Sequence, residues 1–272
     1  MSIPEQVLRK LTSAKTSLRQ QLGVAIHSLA THLEQPTAPP PCSTTATVKA
    51  ATPSAQEVAR QIGDDWKVAA YYELAEAAME PAWRELLFPL LKDCDFSVVL
   101  DLAAGHGRNS EYLRKYAQKI YVADINIENI EFCRRRFADD PRFEFVLCDG
   151  MTLPSIPDES LTLQYCFDSM VHFDSDTVRA YLREFRRILR PGGRGLCHHS
   201  NYTAQPTGSL HHNPHWRNFM SQELFTHYCH KEGLRVIRSQ LLDWGGSSFS
   251  SWGSDPQVVQ DLDCVTVFER PQ

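Results

Sequence analysis

The sequence predicts an α/β fold: a doubly wound, mostly parallel sheet with helices on both faces, preceded by a helical extension. Three observations predict it. From Val98 to Glu269, strand-like and helix-like stretches alternate, the pattern of parallel strands joined by crossover helices. The first strand, 98–102, runs into a turn of small residues, Ala103-Ala104-Gly105-His106-Gly107, that opens a helix from Arg108. The next two strands end in acids, Asp124 and Asp149.

The turn is the centre of the arrangement. Glycine permits unusual dihedrals and lets a ligand approach the backbone, and the helix that follows aims its unpaired N–H groups over the turn. Strand, glycine turn and helix open a nucleotide-binding unit. Asp124 ends the second strand (120–123), 19 residues after Gly105, where a carboxylate accepts hydrogen bonds from a ribose diol. A GxGxxG dinucleotide motif would put a third glycine at position 110, which is Ser110 here. The third strand, 143–148, ends in Asp149-Gly150-Met151, offering a carboxylate to an adenine amino group and an apolar side chain to its face. Three strand ends each present one piece of an adenosine site.

These residues resemble the class I S-adenosylmethionine-dependent methyltransferases, whose glycine motif reads acid-x-Gly-x-Gly-x-Gly and whose second and third strands end in acids. The matching positions are Asp101, Ala103, Gly105 and Gly107, then Asp124, then Asp149. Ala103 replaces the usual glycine, which requires an ordinary dihedral there. The resemblance covers residues 93–270. It implies S-adenosylmethionine as cofactor, held by Asp101, Ala103, Gly105, Gly107, Asn109, Asp124, Ile125, Asp149, Gly150, Met151 and Phe167. It also implies a Rossmann-like seven-stranded sheet whose last strand is antiparallel.

In chain order, the 272 residues suffice for one large domain plus an appendage. With 42% apolar and 22% charged residues the chain reads as globular, and its net charge of −5 leaves no electrostatic footprint for nucleic acid or anionic membrane. The eight cysteines form no CxxC pair and read as buried, reduced thiols of a cytosolic protein. Residues 4–34 carry a helical stripe of Leu8, Leu11, Leu18, Leu22, Ala25 and Leu29. It is either a helix laid on the domain or an oligomerisation element, placed in a segment 1–35 and tethered by a linker rich in Pro, Thr and Ala at 36–53. Ser54 and Glu57 form a capping box for a helical region, 54–92, broken before Pro81. In the resembled family such helices cover the cofactor, so Tyr71 and Tyr72 either line the site or pack in the core.

Residues 93–272 form the domain proper. Its fourth strand, 161–167, precedes a helix at 174–189 with Val178, Tyr181, Leu182, Phe185, Ile188 and Leu189 on one stripe. Arg190-Pro191-Gly192-Gly193 then turns into a fifth strand, 194–199. A helix at 221–231 and two consecutive strands, 234–244 and 262–269, close the chain. The Gly/Ser-rich segment between those strands, with Phe249 and Trp252, is either a connection or a substrate-facing flap.

Ligands of such sheets sit at the carboxyl ends of the strands. The fourth strand ends in Phe167-Asp168-Ser169-Met170-Val171-His172 and the fifth in His198-His199-Ser200-Asn201. His172 is the first candidate base, with Asp168 as its partner or as the base itself if the segment forms a helical turn. The plainer alternative is that Asp168 caps a short helix and His172 packs beneath it. Alternation sends His198 and His199 to opposite faces, and His199, nearer the strand end, is the candidate. The polar run 210–218 is either a metal cluster or, matching its spacing better, a substrate loop in which His215 and Arg217, with Asn201, bind a polyhydroxylated acceptor. The segments around His172, His198 and Trp216 are similar to a bacterial methyltransferase subgroup that modifies sugars. The expected protein is therefore a sugar or polar small-molecule O-methyltransferase with no metal. The other readings are an N-methyltransferase of small amines, an inactive cofactor-binding scaffold that recruits a partner through its N-terminal helix, and a nicotinamide oxidoreductase.

Overall fold

The computed structural model describes residues 53–67, 69–77, 79–207, 209–244 and 258–272. The N-terminal stripe, the linker as far as Thr52, and Phe249 and Trp252 lie outside them. Pro53–Leu242 and Gln260–Gln272 form one compact unit. The strands are β1 (Val98–Leu102), β2 (Lys119–Asp124), β3 (Phe143–Leu147), β4 (Leu161–Cys166), β5 (Leu189–Ser200), β6 (Arg235–Trp244) and β7 (Val259–Glu269). Among the described residues they build one seven-stranded sheet in the order β3-β2-β1-β4-β5-β7-β6. β1 to β5 pair in parallel, and β7 runs antiparallel to β5. The chain moves outward from β1 to β3 and then returns to the other side of β1, so the switch point lies between β1 and β4. That is where the crevice of such a sheet opens.

The central strands are covered on both faces, which suits their Val- and Leu-rich sequences. Every residue of β4 is buried, as are Val99 to Leu102 in β1. The helix α5 (Ser175–Ile188) follows α1 (Ala55–Asp65), α2 (Ala69–Ala77), α3 (Arg108–Leu113) and α4 (Ile127–Arg136), and precedes α6 (Gln222–Lys231). Asp174 caps α5 by accepting from the Asp176 N–H at 2.9 Å. Its stripe Val178, Tyr181, Leu182, Phe185 and Ile188 is fully buried in the sheet's core, with roughly 1.5–3 kcal/mol gained per large side chain. Its arginines point outward: Arg179 and Arg183 pair with Glu232, and Arg187 with Glu184 and Asp158. Cys133, Cys148, Cys166, Cys197, Cys229 and Cys264 are buried free thiols and Cys94 is half-buried.

Before β1, the capping box forms as expected: the Ser54 N–H donates to Glu57 and the Glu57 N–H to Ser54 Oγ. No break falls at Pro81: Met79–Ala82 is helical and runs directly into the π-helical Trp83–Leu87 and then Phe88–Leu91, so the chain carries Pro81 inside a helical run. β5 also differs from expectation. It starts at Leu189 and includes Arg190 to Gly193 as an irregularity, the register slipping between Leu161↔Leu189 and Leu163↔Arg194, with Gly192 at φ 78°.

The third correction concerns the glycine turn. Ala103 adopts φ 55°, not an ordinary dihedral, and carries the strain of about 1–2 kcal/mol that a Cβ meets in the left-handed region. Ser169 Oγ donates to the Ala103 carbonyl at 3.0 Å and helps to hold it. Gly107 (φ 80°) begins α3, and a Cβ there would meet the Phe137 ring at 2.7 Å and Cys133 Sγ at 3.2 Å. Gly107→Ala should therefore lose roughly 2–4 kcal/mol of stability, read as a lower midpoint in urea unfolding. A midpoint equal to the parent's would show that the turn is not packed as described.

Candidate active site

The carboxyl ends of β1 and β2 are level, because Leu102 pairs with Ala123 and the Ala104 N–H donates to the Ala123 carbonyl at 3.2 Å. This sets the turn beside Asp124. The Gly105 N–H donates to Asp124 Oδ2 at 2.9 Å, and Oδ1 accepts from the Asn126 N–H (2.8 Å) and Asn129 Nδ2 (3.2 Å). Burial raises the Asp124 carboxyl above the ordinary value, with these donors acting against it. A carboxylate offers about four lone-pair sites; three are used, which leaves one for a ligand hydroxyl.

A cleft opens over these strand ends, at the place where ligands of such sheets bind. Ala103, Gly105, Asp124, Ile125 and Gly150 form its base. Trp66 and residues of α1 and α2, Ile62, Gly63, Tyr71 and Tyr72 among them, cover it. Two glycines make that cover possible: a Cβ on Gly105 would lie 2.4 Å from the Tyr72 ring, and one on Gly150 (φ 89°) 2.7 Å from Ala59 Cβ. Tyr72 is held by donating to the Trp66 carbonyl at 3.0 Å and by stacking on His106.

At the end of β4, Asp168 adopts φ 60° and is buried. Arg108 Nη2 donates to Oδ2 at 2.6 Å and the Tyr71 hydroxyl donates to the same oxygen at 2.7 Å. Burial alone would raise the Asp168 carboxyl, but the Arg108 guanidinium and these bonds hold it below the ordinary value. Asp168 is thus a paired anion and a poor base, and it neither caps a helix nor shares a helical face with His172. The short 3-10 turn Met170–His172 begins after it. His172 lines the cleft, its ring tilted against Trp66 with centroids 4.4 Å apart and its Nδ1 2.9 Å from the Trp216 carbonyl. A carbonyl can only accept, so Nδ1 carries the proton and Nε2 the lone pair. Burial, with the nearby Arg217 charge, lowers the His172 pKa to about 3 and keeps the ring neutral.

Several expected residues lie elsewhere. His199 is turned to the opposite face of the sheet: its nitrogens engage the Ser200 carbonyl and Thr266 Oγ1, and its ring stacks on Phe225. His198 faces the β4 end instead, stacked on Phe167. Arg217 is fully buried and forked onto Asp263, Asn201 is tied to the Asp261 carbonyl and the Gln222 N–H, and the His215 carbonyl accepts from Arg217. None of these three borders the cleft, because each is engaged within the protein. Asp101 lies beneath the turn, accepting from Ser110 Oγ at 2.6 Å, and Gly107 packs behind it. Asp149 accepts from the Met151 and Thr152 N–H groups and Thr152 Oγ1 of its own loop and does not line the cleft, which its neighbour Gly150 does, and Met151 Sδ accepts from Thr177. Asn109 and Phe167 border a small adjoining cavity beside Arg108. The residues not foreseen are Ile62, Gly63 and Trp66 on the cover, and Asn126, Asn129 and Thr177. Only the Asn126–Asn129 pair, one turn apart beside Asp124, carried a local signal.

A doubly wound sheet with a left-handed glycine turn, a ribose-type acid at the second strand and a reversed β7 defines a nucleotide-cofactor domain. Residues 99–193 match the family described as "Methyltransferase domain". Residues 99–193 thus carry a methyltransferase domain, and S-adenosylmethionine is the cofactor of the class I methyltransferases that this stretch resembles. A demethylmenaquinone methyltransferase of Clavibacter sepedonicus is 37% identical over 98 residues, 35% of this chain and 38% of that protein. A malonyl-(acyl-carrier protein) O-methyltransferase of Salmonella typhimurium is 26% identical over 183 residues, 63% of this chain and 67% of that protein. The match thus spans little over a third of the Clavibacter protein. The geranyl diphosphate C-methyltransferase of Streptomyces coelicolor, solved with S-adenosyl-L-homocysteine, shares the fold at a TM-score of 0.58 and 14% identity, covering 81% of this chain and all of that one.

The cleft fits that cofactor. Gly105 and Gly150 leave the backbone bare, Asp124 keeps one acceptor site, and apolar Ile62 and Ile125 flank it.

Asp101 supplies a test of the support beneath the turn. Its Oδ1 is buried with no partner, and burial raises its pKa to about 7. A raised acid contributes stability below the unfolded value near 3.8 that is lost as pH rises through about 7. Asp101→Asn should therefore gain on the parent between those limits, by at most ~4 kcal/mol. Thermal unfolding at steps across this range checks it; a constant difference between the two proteins would refute the assignment.

Proposed function

We propose that the protein transfers the methyl group of S-adenosylmethionine to a hydroxyl of a polar small molecule, a sugar in the first instance. The observation that carries this reading is His172: a neutral ring inside the cleft, its tautomer set by the Trp216 carbonyl, with Nε2 as an acceptor. When bound, the cofactor supplies an electrophilic methyl on a sulfonium. Asp124 holds the ribose and the bare backbone at Gly105 and Gly150 admits the rest. Trp66 and Tyr71 give the acceptor an aromatic wall, and Ser169 and Thr177 give it hydroxyl partners. α1 and α2 act as a lid that excludes water. Alignment supplies most of the rate, since positioning accounts for about 7–11 kcal/mol in such cases. His172 Nε2 orients the hydroxyl and takes its proton as the oxygen is alkylated; its low basicity makes that a late transfer.

The same low basicity favours a second reading, N-methylation of a small amine. A neutral amine needs no base before transfer.

Calorimetric titration with S-adenosylmethionine and S-adenosylhomocysteine should show micromolar binding that Asp124→Ala weakens by about tenfold or more. Absence of binding to the parent would end the methyltransferase reading. His172→Gln should keep cofactor affinity and lose about 10²-fold or more of transfer to sugar acceptors. Full activity of that variant, or turnover only with amines, would favour the second reading.

A further inference from the structure

Asp263 on β7 was not foreseen as part of the site and borders neither the cleft nor the small adjoining cavity, yet both polar arms of the cleft lead back to it. It stands opposite Ser200 in the β5–β7 register, two residues from His198 and therefore on the same face. It is buried, and the Arg217 fork donates to it twice, Nε to Oδ1 at 2.7 Å and Nη2 to Oδ2 at 2.6 Å. His198 Nε2 lies 3.3 Å from Oδ2.

We propose that Asp263 is a positioning residue for the cleft, setting His172 through Arg217 and Asp168 through His198. The first arm runs through backbone. Arg217 Nη1 donates to the His215 carbonyl at 2.9 Å, and the Arg217 carbonyl accepts from Asn213 Nδ2 at 2.7 Å. These bonds fix the chain on both sides of Trp216, whose carbonyl receives the His172 Nδ1 proton. The second arm runs through an imidazole. The Asp168 N–H donates to His198 Nδ1 at 3.2 Å, so a neutral His198 ring carries its proton on Nε2, the nitrogen that faces the Asp263 carboxylate. That contact supports Asp168 in its left-handed conformation while Arg108 and Tyr71 hold its carboxylate. An apolar pair would fill the same space as Asp263 and Arg217. What the carboxylate adds is that it orients two donors at once.

The kinetic consequence rests on the methyl-transfer reading, but the positioning is visible without turnover. Ring-nitrogen NMR of the full chain labelled with ¹⁵N-histidine should show His172 protonated at Nδ1, its signals identified by their loss in His172→Gln. In Arg217→Lys, which keeps the charge and removes the fork, and in Asp263→Asn, the His172 signals should become tautomer-averaged. His198→Phe keeps the ring on Phe167; it should leave the His172 signals unchanged and raise hydrogen exchange at the Asp168 amide about tenfold or more. Fixed His172 signals in either folded variant, or unchanged exchange at Asp168, would overturn the proposal. Should Asp263→Asn fail to fold, Arg217→Lys and His198→Phe decide it. With a working acceptor, Arg217→Lys should lower kcat about tenfold and leave S-adenosylhomocysteine affinity within about twofold, whereas a purely structural role would lower both or neither. Failure of the parent to bind S-adenosylhomocysteine would end the methyl-transfer reading and leave the NMR result standing.

Discussion

The hydrogen bond from the Gly105 N–H to Asp124 is the constraint on which the site depends. It exists because β1 and β2 end at the same level, and it requires a left-handed turn immediately after β1. The chain meets that requirement with three consecutive odd-numbered positions of positive φ, Ala103, Gly105 and Gly107, the first at a cost in strain because it bears a Cβ. The supports gathered around the turn follow from this. Asp101 and Ser110 brace it from below, Ser169 holds the Ala103 carbonyl, and Cys133 Sγ donates to the Gly105 carbonyl.

The upper half of the cleft obeys a different logic. Trp66 packs against Tyr71, His172 and Trp216, joining the α1–α2 region to the segment after β5 through rings instead of backbone ladders. Such contacts are worth about 0.5–1.5 kcal/mol each beyond buried area, and they release and re-form more readily than a sheet. The strand-end half of the cleft is therefore stiff, and the half that covers it is built from contacts that can part.

The cofactor half was legible because it is local. Glycine turn, strand-end acid and capping box each lie within a few residues, or within one βα unit, of what they act on. The stripe of α5 was legible for the same reason. What failed depends on distance or on register. Arg217 sits in a polar run that reads as a surface loop, but its partner Asp263 is 46 residues further on. Alternation divides His198 from His199 correctly, but which of them faces the cleft is set by how β5 seats between β4 and β7. That seating begins with the irregularity at Arg190 to Gly193, which reads as a simple turn. Asp149 closes a tight loop onto Met151 and Thr152, as an aspartate before glycine readily does, and it is the neighbouring Gly150 that lines the cleft.

The sheet order also divides the labour along the chain. Apart from Ser169, the base of the cleft and its supports come from one unbroken stretch, β1 to the turn after β3, whereas the surroundings of His172 are drawn from the α1–α2 region, the end of β4, the segment after β5 and β7. The two halves can consequently drift at different rates. A substitution in the first half disturbs several hydrogen bonds that were made together, while the second half can exchange one contributor and keep the others. In a protein built this way, a change of acceptor requires no renegotiation with the cofactor.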